Sequence, residues 1–155
     1  PPPPATPDSS TSRGLGDVYK RQVLEKCMQT KSLDFLLEEA NNQIKRLSFN
    51  EILEMLTNEN TIIIDVREES EVMSLGVIKN AIHIPRGLIE FKLSPHSPNN
   101  PNGIDQNTNL LIYCAGGYRS ALAAKTLSDL GFTNVYNIGG YQEWIDNGGD
   151  IQASL

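Results

Sequence analysis

Apolar and polar positions along this chain follow two rhythms, and the switches between them predict its elements. Leu33, Leu36, Leu37, Ala40, Ile44 and Leu47 recur at helical spacing, which predicts an amphipathic helix docked on the rest of the chain. Ser48 followed three residues later by Glu51 is a capping-box pattern, so a second helix is expected over 51–56. The β-branched run 61–66 fits a strand covered on both faces, because strands flanked by helices lose the polar alternation. A polar helix over 68–75, a short strand over 81–84 and a helical turn over 88–92 follow. Residues 93–109, rich in Pro, Asn and Ser, form a long connection of the kind that is often functional. Leu110 to Tyr113 is again a buried-strand run, Gly116 and Gly117 free the backbone to turn, and a helix is expected to open with Ser120 as its cap. Ala123, Leu127 and Leu130 share one face of that helix, and Gly131 is its expected stop. Residues 134–138 read as the last main strand. A helix with Tyr141, Trp144 and Ile145 on one face then closes the chain at Gly148 and Gly149, with Trp144 expected in the core. Strands alternating with helices predict an α/β domain, a small mainly parallel sheet flanked by helices, with an extra N-terminal helix.

The first residues follow neither rhythm. Five of the nine prolines fall within residues 1–7, and 8–16 is rich in Ser, Thr and Gly without periodicity, which reads as a disordered tail. Residues 12–22, Ser-Arg-Gly-Leu-Gly-Asp-Val-Tyr-Lys-Arg-Gln, match the in-frame translation of a transposase-type sequencing adapter; the alternative is an ordinary tail. The expected organisation is therefore a tail over 1–27 carrying an adapter artefact at 12–22, an N-terminal helix over 28–46, and the main domain over 47–155, with Met28 as the expected true start.

Composition narrows the function. A 155-residue chain that is 39% hydrophobic supports one core. Its formal charge of −6, or −7 over 28–155, comes without a basic cluster and argues against a nucleic-acid partner. No apolar run approaches a membrane span or a signal-peptide core, so no membrane partner is expected. The two cysteines, Cys27 and Cys114, make no metal-ligand spacing, and a reducing, cytoplasmic setting fits them best.

The candidate chemistry centres on Cys114. It stands where a strand gives way to a Gly-Gly turn and a helix, so turn amides and the helix start converge on its sulfur. Such a setting, with the guanidinium of Arg119 nearby, favours a thiolate. The competing reading is that Cys114 is a small buried hydrophobe ending a core strand. Asp65 and Arg67, at a strand end, are expected to order neighbouring loops through a charge-assisted pair rather than to react. His83 alternates with Ile82 and Ile84 and reads as a packed or solvent-facing strand residue. Arg86 follows a strand on the side where parallel sheets place ligands, so it faces either the substrate mouth or solvent. The 93–109 connection is expected to shape access to Cys114.

Four segments in order carry a family resemblance. Cys114-Ala-Gly-Gly-Tyr-Arg119-Ser120 resembles the active loop of single-domain rhodanese-like sulfurtransferases, and Asp65-Val-Arg67 resembles their Asp-x-Arg strand end. Residues 76–85, Gly-Val-Ile-Lys-Asn-Ala-Ile-His-Ile-Pro, are similar to the family's Gly-His-Ile-x-Gly-Ala-x-x-Ile-Pro, and Gly139-Gly140-Tyr-Gln-Glu-Trp144 to its Gly-Gly-x-x-x-Trp. The chain departs at Val77, often His in the family, and at Asn80, often Gly; Asn tolerates left-handed φ, so the turn is expected to survive. The resemblance implies that Cys114 takes a sulfane sulfur from thiosulfate or a persulfide, holds it as a persulfide, and passes it to a thiol, cyanide or a protein acceptor. It implies that Ala115, Gly116, Gly117, Tyr118, Arg119 and Ser120 cradle the donor, and that neither metal nor organic cofactor is needed. A non-turnover sulfur carrier or partner-binding module is the alternative. Phosphatase or arsenate reductase activity is the more distant one, since phosphatases of related folds place five residues between Cys and Arg where four separate Cys114 from Arg119.

Overall fold

Every strand of the main sheet ends in the same direction, and that sets where the chemistry can be. The computed structural model describes residues 16–22, 30–100 and 103–154, in two units divided after Ser32. Met28 and Cys27, with the tail before 16, lie outside the described residues. In the first unit, 16–22 form a helical turn pair, α1, where no element was expected. Its acidic Asp17 near the start and basic Lys20 and Arg21 near the end suit a helix dipole.

The second unit runs α2 (Leu33–Gln43), β1 (Lys45–Arg46), α3 (Phe49–Met55), β2 (Thr61–Asp65), α4 (Glu69–Leu75), β3 (Val77–Ile78) and β4 (Ile82–His83). A 3-10 turn over Arg86–Leu88, α5 (Ile89–Leu93), β5 (Asn109–Cys114), α6 (Tyr118–Asp129), β6 (Val135–Gly140), α7 (Tyr141–Asp146) and β7 (Ile151–Gln152) follow. The five-stranded sheet is parallel throughout, in the order β1-β6-β5-β2-β4, and β3 pairs antiparallel with β7. Strand alternation deals side chains to two cores. Ile64, Leu110, Ile112 and Cys114 pack with Ala123, Ala124 and Leu127 of α6, while Ile63, Leu111 and Tyr113 pack with Ile52, Tyr141 and Trp144.

The N-terminal helix expected over 28–46 stops at Gln43, and 45–46 become an edge strand. Ile44 and Leu47 keep helical spacing, yet Ile44 is buried in the α6-side core and Leu47 in the opposite one, so the spacing arises from a chain crossing the sheet edge. The capping box at Ser48 forms in full and opens α3. Asn80 has φ +67°, the left-handed conformation its turn requires. Trp144 is 6% exposed, packs against Phe49 with ring centroids 5.2 Å apart and planes tilted by 54°, and donates its indole N–H to the Asp150 carbonyl.

The described residues of the 93–109 connection sit at the opposite end of the sheet from Cys114. Asn109 N donates to Asn60 O ahead of β2, and Thr133 N, ahead of β6, donates to Gln106 O, which ties the connection to the strands' amino ends. With β5 spanning roughly 16 Å, it does not shape access to Cys114. It lines instead a cavity of about 490 Å³ with Leu130 and Phe132.

Candidate active site

A cysteine at the carboxyl end of a central parallel strand stands where such sheets place ligands, and three local features turn that position into a cup. Gly117 adopts φ +94° and caps α6, a conformation an L side chain would strain. The helix therefore opens at Tyr118 rather than at Ser120, because the left-handed glycine turns the chain two residues earlier. Across the cup, a Cβ on Gly140 would meet the Ala115 carbonyl at 2.5 Å, so glycine there lets β6 approach the loop. A register shift between Ile112 and Tyr113 sets Cys114 opposite Gly140.

The sulfur lies at the floor. Cys114 is 1% exposed and unpaired in any disulfide. Gly117 N donates to Sγ at 3.0 Å and Ser120 N at 3.4 Å, and the Ser120 hydroxyl lies 3.5 Å away. Burial pushes the Cys114 thiol up, but hydrogen bonds from the Ser120 hydroxyl and amide and from the Gly117 and Gly116 amides outweigh it, so the thiol is held below its ordinary value. A core filler would be buried without converging amides; Cys114 has both.

Asn137 escapes a reading by motif. It is 4% exposed on the face of β6 that looks at α6. Its Nδ2 donates to the Gly117 carbonyl at 3.1 Å, and its Oδ1 accepts from Gly139 N at 2.9 Å and from the Ser120 hydroxyl at 2.8 Å. Those backbone partners fix which end of the amide is which. The single hydroxyl hydrogen of Ser120 is thus shared between Asn137 and the sulfur. With a thiol, S–H donates to Oγ; with a thiolate, the hydroxyl turns to the sulfur while Asn137 keeps the Gly139 amide. The signal in the sequence was a lone polar residue between Tyr136 and Ile138 in a buried strand.

Arg119 lies close enough to Cys114 for their charges to interact, but it has a carboxylate partner of its own. Its guanidinium is bidentate to Glu71, Nη1 to Oε1 at 2.7 Å and Nη2 to Oε2 at 3.0 Å. The groups in hydrogen-bonding contact with the sulfur are amides and a hydroxyl, and Arg119 acts on it through charge alone. Ala115, Gly116 and Tyr118 are exposed at the rim, with Tyr118 at 69%. Arg86 donates to Thr126 Oγ1 at 3.2 Å and pairs with Glu90 at 3.6 Å. Thr126 lies about 12 Å along α6 from its start, so the Arg86 guanidinium is drawn down the helix and away from the cup.

Behind the sheet, Asp65 and Arg67 form a buried pair, with Nε 3.0 Å from both carboxylate oxygens and Nη2 2.6 Å from Oδ2. The Tyr113 hydroxyl donates to Asp65 at 2.6 Å and Arg67 Nη2 to the Gly76 carbonyl at 2.6 Å. The guanidinium carbon lies 4.2 Å from the Tyr141 ring centroid. His83 gives its Nε2 hydrogen to the Arg67 carbonyl at 2.7 Å. It belongs to β4, roughly 10 Å across the sheet from β5 with β2 between them, and not to the cup.

The family model for the rhodanese-like domain matches residues 48–147, which hold the cup, the buried pair and most of both flanking cores. The chain belongs to the rhodanese-like family. A solved structure from Rhodopseudomonas palustris CGA009, described as of unknown function and a possible tyrosine phosphatase, shares 34% identity with this rhodanese-like chain. It aligns with a TM-score of 0.72 over 81% of this chain and 97% of its own. The polysulfide-sulfur transferase homodimer of Wolinella succinogenes aligns at 29% identity and a TM-score of 0.62, over 76% of this chain and 85% of its own. A mitochondrial protein of Schizosaccharomyces pombe, provisionally named a thiosulfate sulfurtransferase, is 35% identical over 57% of this chain. The tRNA uridine(34) hydroxylase of Prochlorococcus marinus strain MIT 9312 is 33% identical over 60% of this chain. The rhodanese-like chain spans 66% of the yeast protein's length and 31% of the hydroxylase's. Among the described residues, no helix is long and apolar enough to cross a membrane.

Proposed function

We propose that the protein is a sulfurtransferase in which Cys114 accepts the outer sulfur of thiosulfate or of a persulfide and holds it as a cysteine persulfide. The observation that carries this reading is the convergence of the Gly117 and Ser120 amides and the Ser120 hydroxyl on a nearly buried sulfur. The thiolate attacks the outer sulfur, a Cys114 S–S bond forms, the donor's S–S bond breaks, and sulfite or a thiolate leaves with the bonding pair. No general base is assigned, because the thiolate itself is the nucleophile and the amides and hydroxyl around Sγ favour that form. The same amides then hold the charge of the persulfide's terminal sulfur, and a thiol, cyanide or a protein thiolate removes it. A reducing cytoplasm keeps Cys114 free for this cycle.

Intact-mass measurement after exposure to thiosulfate and to a small persulfide tests the reading. One added sulfur is expected on the parent and none on Cys114→Ser, which keeps the parent's melting temperature within a few degrees. Sulfur located on Cys27, or absent with both donors, contradicts it. Release of thiocyanate with cyanide separates a turning-over enzyme from a carrier that stays loaded.

A further inference from the structure

The cations around the cup each have an acidic partner. Arg119 is the one guanidinium on the Cys114 loop, and both of its terminal nitrogens are taken by Glu71. Glu71 is held for that role: its Oε1 also accepts from the Glu68 amide at 3.0 Å, which closes the capping box of α4 and fixes the carboxylate toward α6. Glu68 adds a second carboxylate, close enough to act electrostatically on Arg119, as Cys114 also does. Arg86 is paired with Glu90, and Arg67 is buried against Asp65. With Cys114 ionised, the loop and its α4 neighbours thus carry three negative charges and one positive. Cys114 is 1% exposed, so a donor must enter end-on past these groups rather than lie across them.

We propose that Glu71 is a specificity-determining residue: by holding and neutralising Arg119 it turns the mouth against the thiosulfate dianion and toward persulfides that carry at most one negative charge. The inference rests on the sulfur-transfer reading above and names its donor class. The two half-reactions balance alike. With thiosulfate, the thiolate takes the outer sulfur and sulfite leaves as a dianion, so a dianion must both enter and depart. With a protonated persulfide, R–S–SH, the outer sulfur moves to Cys114 with its proton and R–S⁻ leaves, so the mouth handles one charge at most.

The test compares kcat/KM for thiosulfate and for a persulfide lacking any carboxylate, in the parent, Glu71→Gln and Glu71→Asp, across ionic strength. In the parent, thiosulfate use should rise with added salt, because screening weakens repulsion between like charges, while persulfide use barely responds. Glu71→Gln keeps an oxygen for the Glu68 amide and one contact to Arg119 but removes a charge. It should raise the thiosulfate-to-persulfide ratio about tenfold and flatten the salt response. Glu71→Asp keeps the charge and should keep the parent's ratio. Thiosulfate use that falls with salt in the parent, or a ratio unmoved by Glu71→Gln, overturns the proposal, and the first needs no variant to fold. If intact mass shows no sulfur on Cys114 from either donor, the sulfur-transfer reading itself fails, and this inference falls with it.

Discussion

Tyr113 and Cys114 are neighbours in β5, and they face opposite sides of the sheet into two kinds of buried electrostatics. Behind Tyr113 lies a full ion pair at zero exposure, in which burial, the Asp65 charge and the hydrogen bond to it push the tyrosine hydroxyl far above its ordinary value. Around Cys114 no formal charge touches the sulfur, and amides and one hydroxyl bring its thiol down. The stronger perturbation belongs to the scaffold. Asp65, Arg67, Tyr113, Gly76 and Ile78 use most of their polar groups on each other, which ties β2, β5, α4 and β3 together, and Arg67 Nη1 is left buried without a hydrogen-bond partner. The cup holds its donors in place before any substrate arrives, and that is the useful arrangement for chemistry. A large pKa shift thus identifies a coupled group without saying whether the group works or merely holds.

The largest effect that sharpens this contrast is expected from Arg67→Ala. It strands the Asp65 carboxylate in the sheet and should cost about 3–5 kcal/mol, read by urea unfolding. The titration of Cys114 in the molecules that remain folded should not move. A shifted titration would show that the two faces of β5 are coupled.

How far the sequence could be read follows the same division. Cys114, the Gly-Gly turn and the capping box at Ser48 are local patterns, and each names its own geometry. Asn80 is legible too, since its left-handed φ is a property of one residue. What stayed hidden is relational. Ile44 and Leu47 alias a helix because a chain crossing a sheet edge repeats the same spacing. The pairing of Val77–Ile78 with Ile151–Gln152 joins two strands of two residues, too short for any rhythm. Arg119, close to Cys114 in sequence, suggested a guanidinium that favours the thiolate, and only the fold shows Glu71, from a helix 48 residues earlier, pairing with it. The 93–109 connection was expected to shape access to Cys114 because sequence gives its length but not the end of the sheet it occupies.

The smallest expected effect concerns that pair's share of stability. Arg119 holds the Glu71 carboxyl down at about 2 from an ordinary 4.5, against a smaller upward push from burial. A depressed folded-state value means that the pair's contribution is fully present above about pH 4.5 and is lost as pH falls through about 2. With side chains 29% and 36% exposed, salt screening limits it to about 0.2–1 kcal/mol. Glu71→Gln should therefore unfold slightly more easily than the parent at neutral pH, with the gap closing toward pH 2 in thermal melts. A gap that widens on acidification would mean that Glu71 is not the titrating partner of Arg119.

The central claim is that the cup, and not a charged side chain, ionises Cys114. The direct measurement is the pH dependence of ultraviolet thiolate absorbance, taken as the difference between the parent and Cys114→Ser, repeated in Ser120→Ala and Arg119→Ala backgrounds. The account predicts a midpoint below the roughly 8.5 of a free cysteine, an upward move on loss of the Ser120 hydroxyl, and a smaller move on loss of Arg119. A midpoint at or above the free value, or a larger move with Arg119→Ala than with Ser120→Ala, would contradict it.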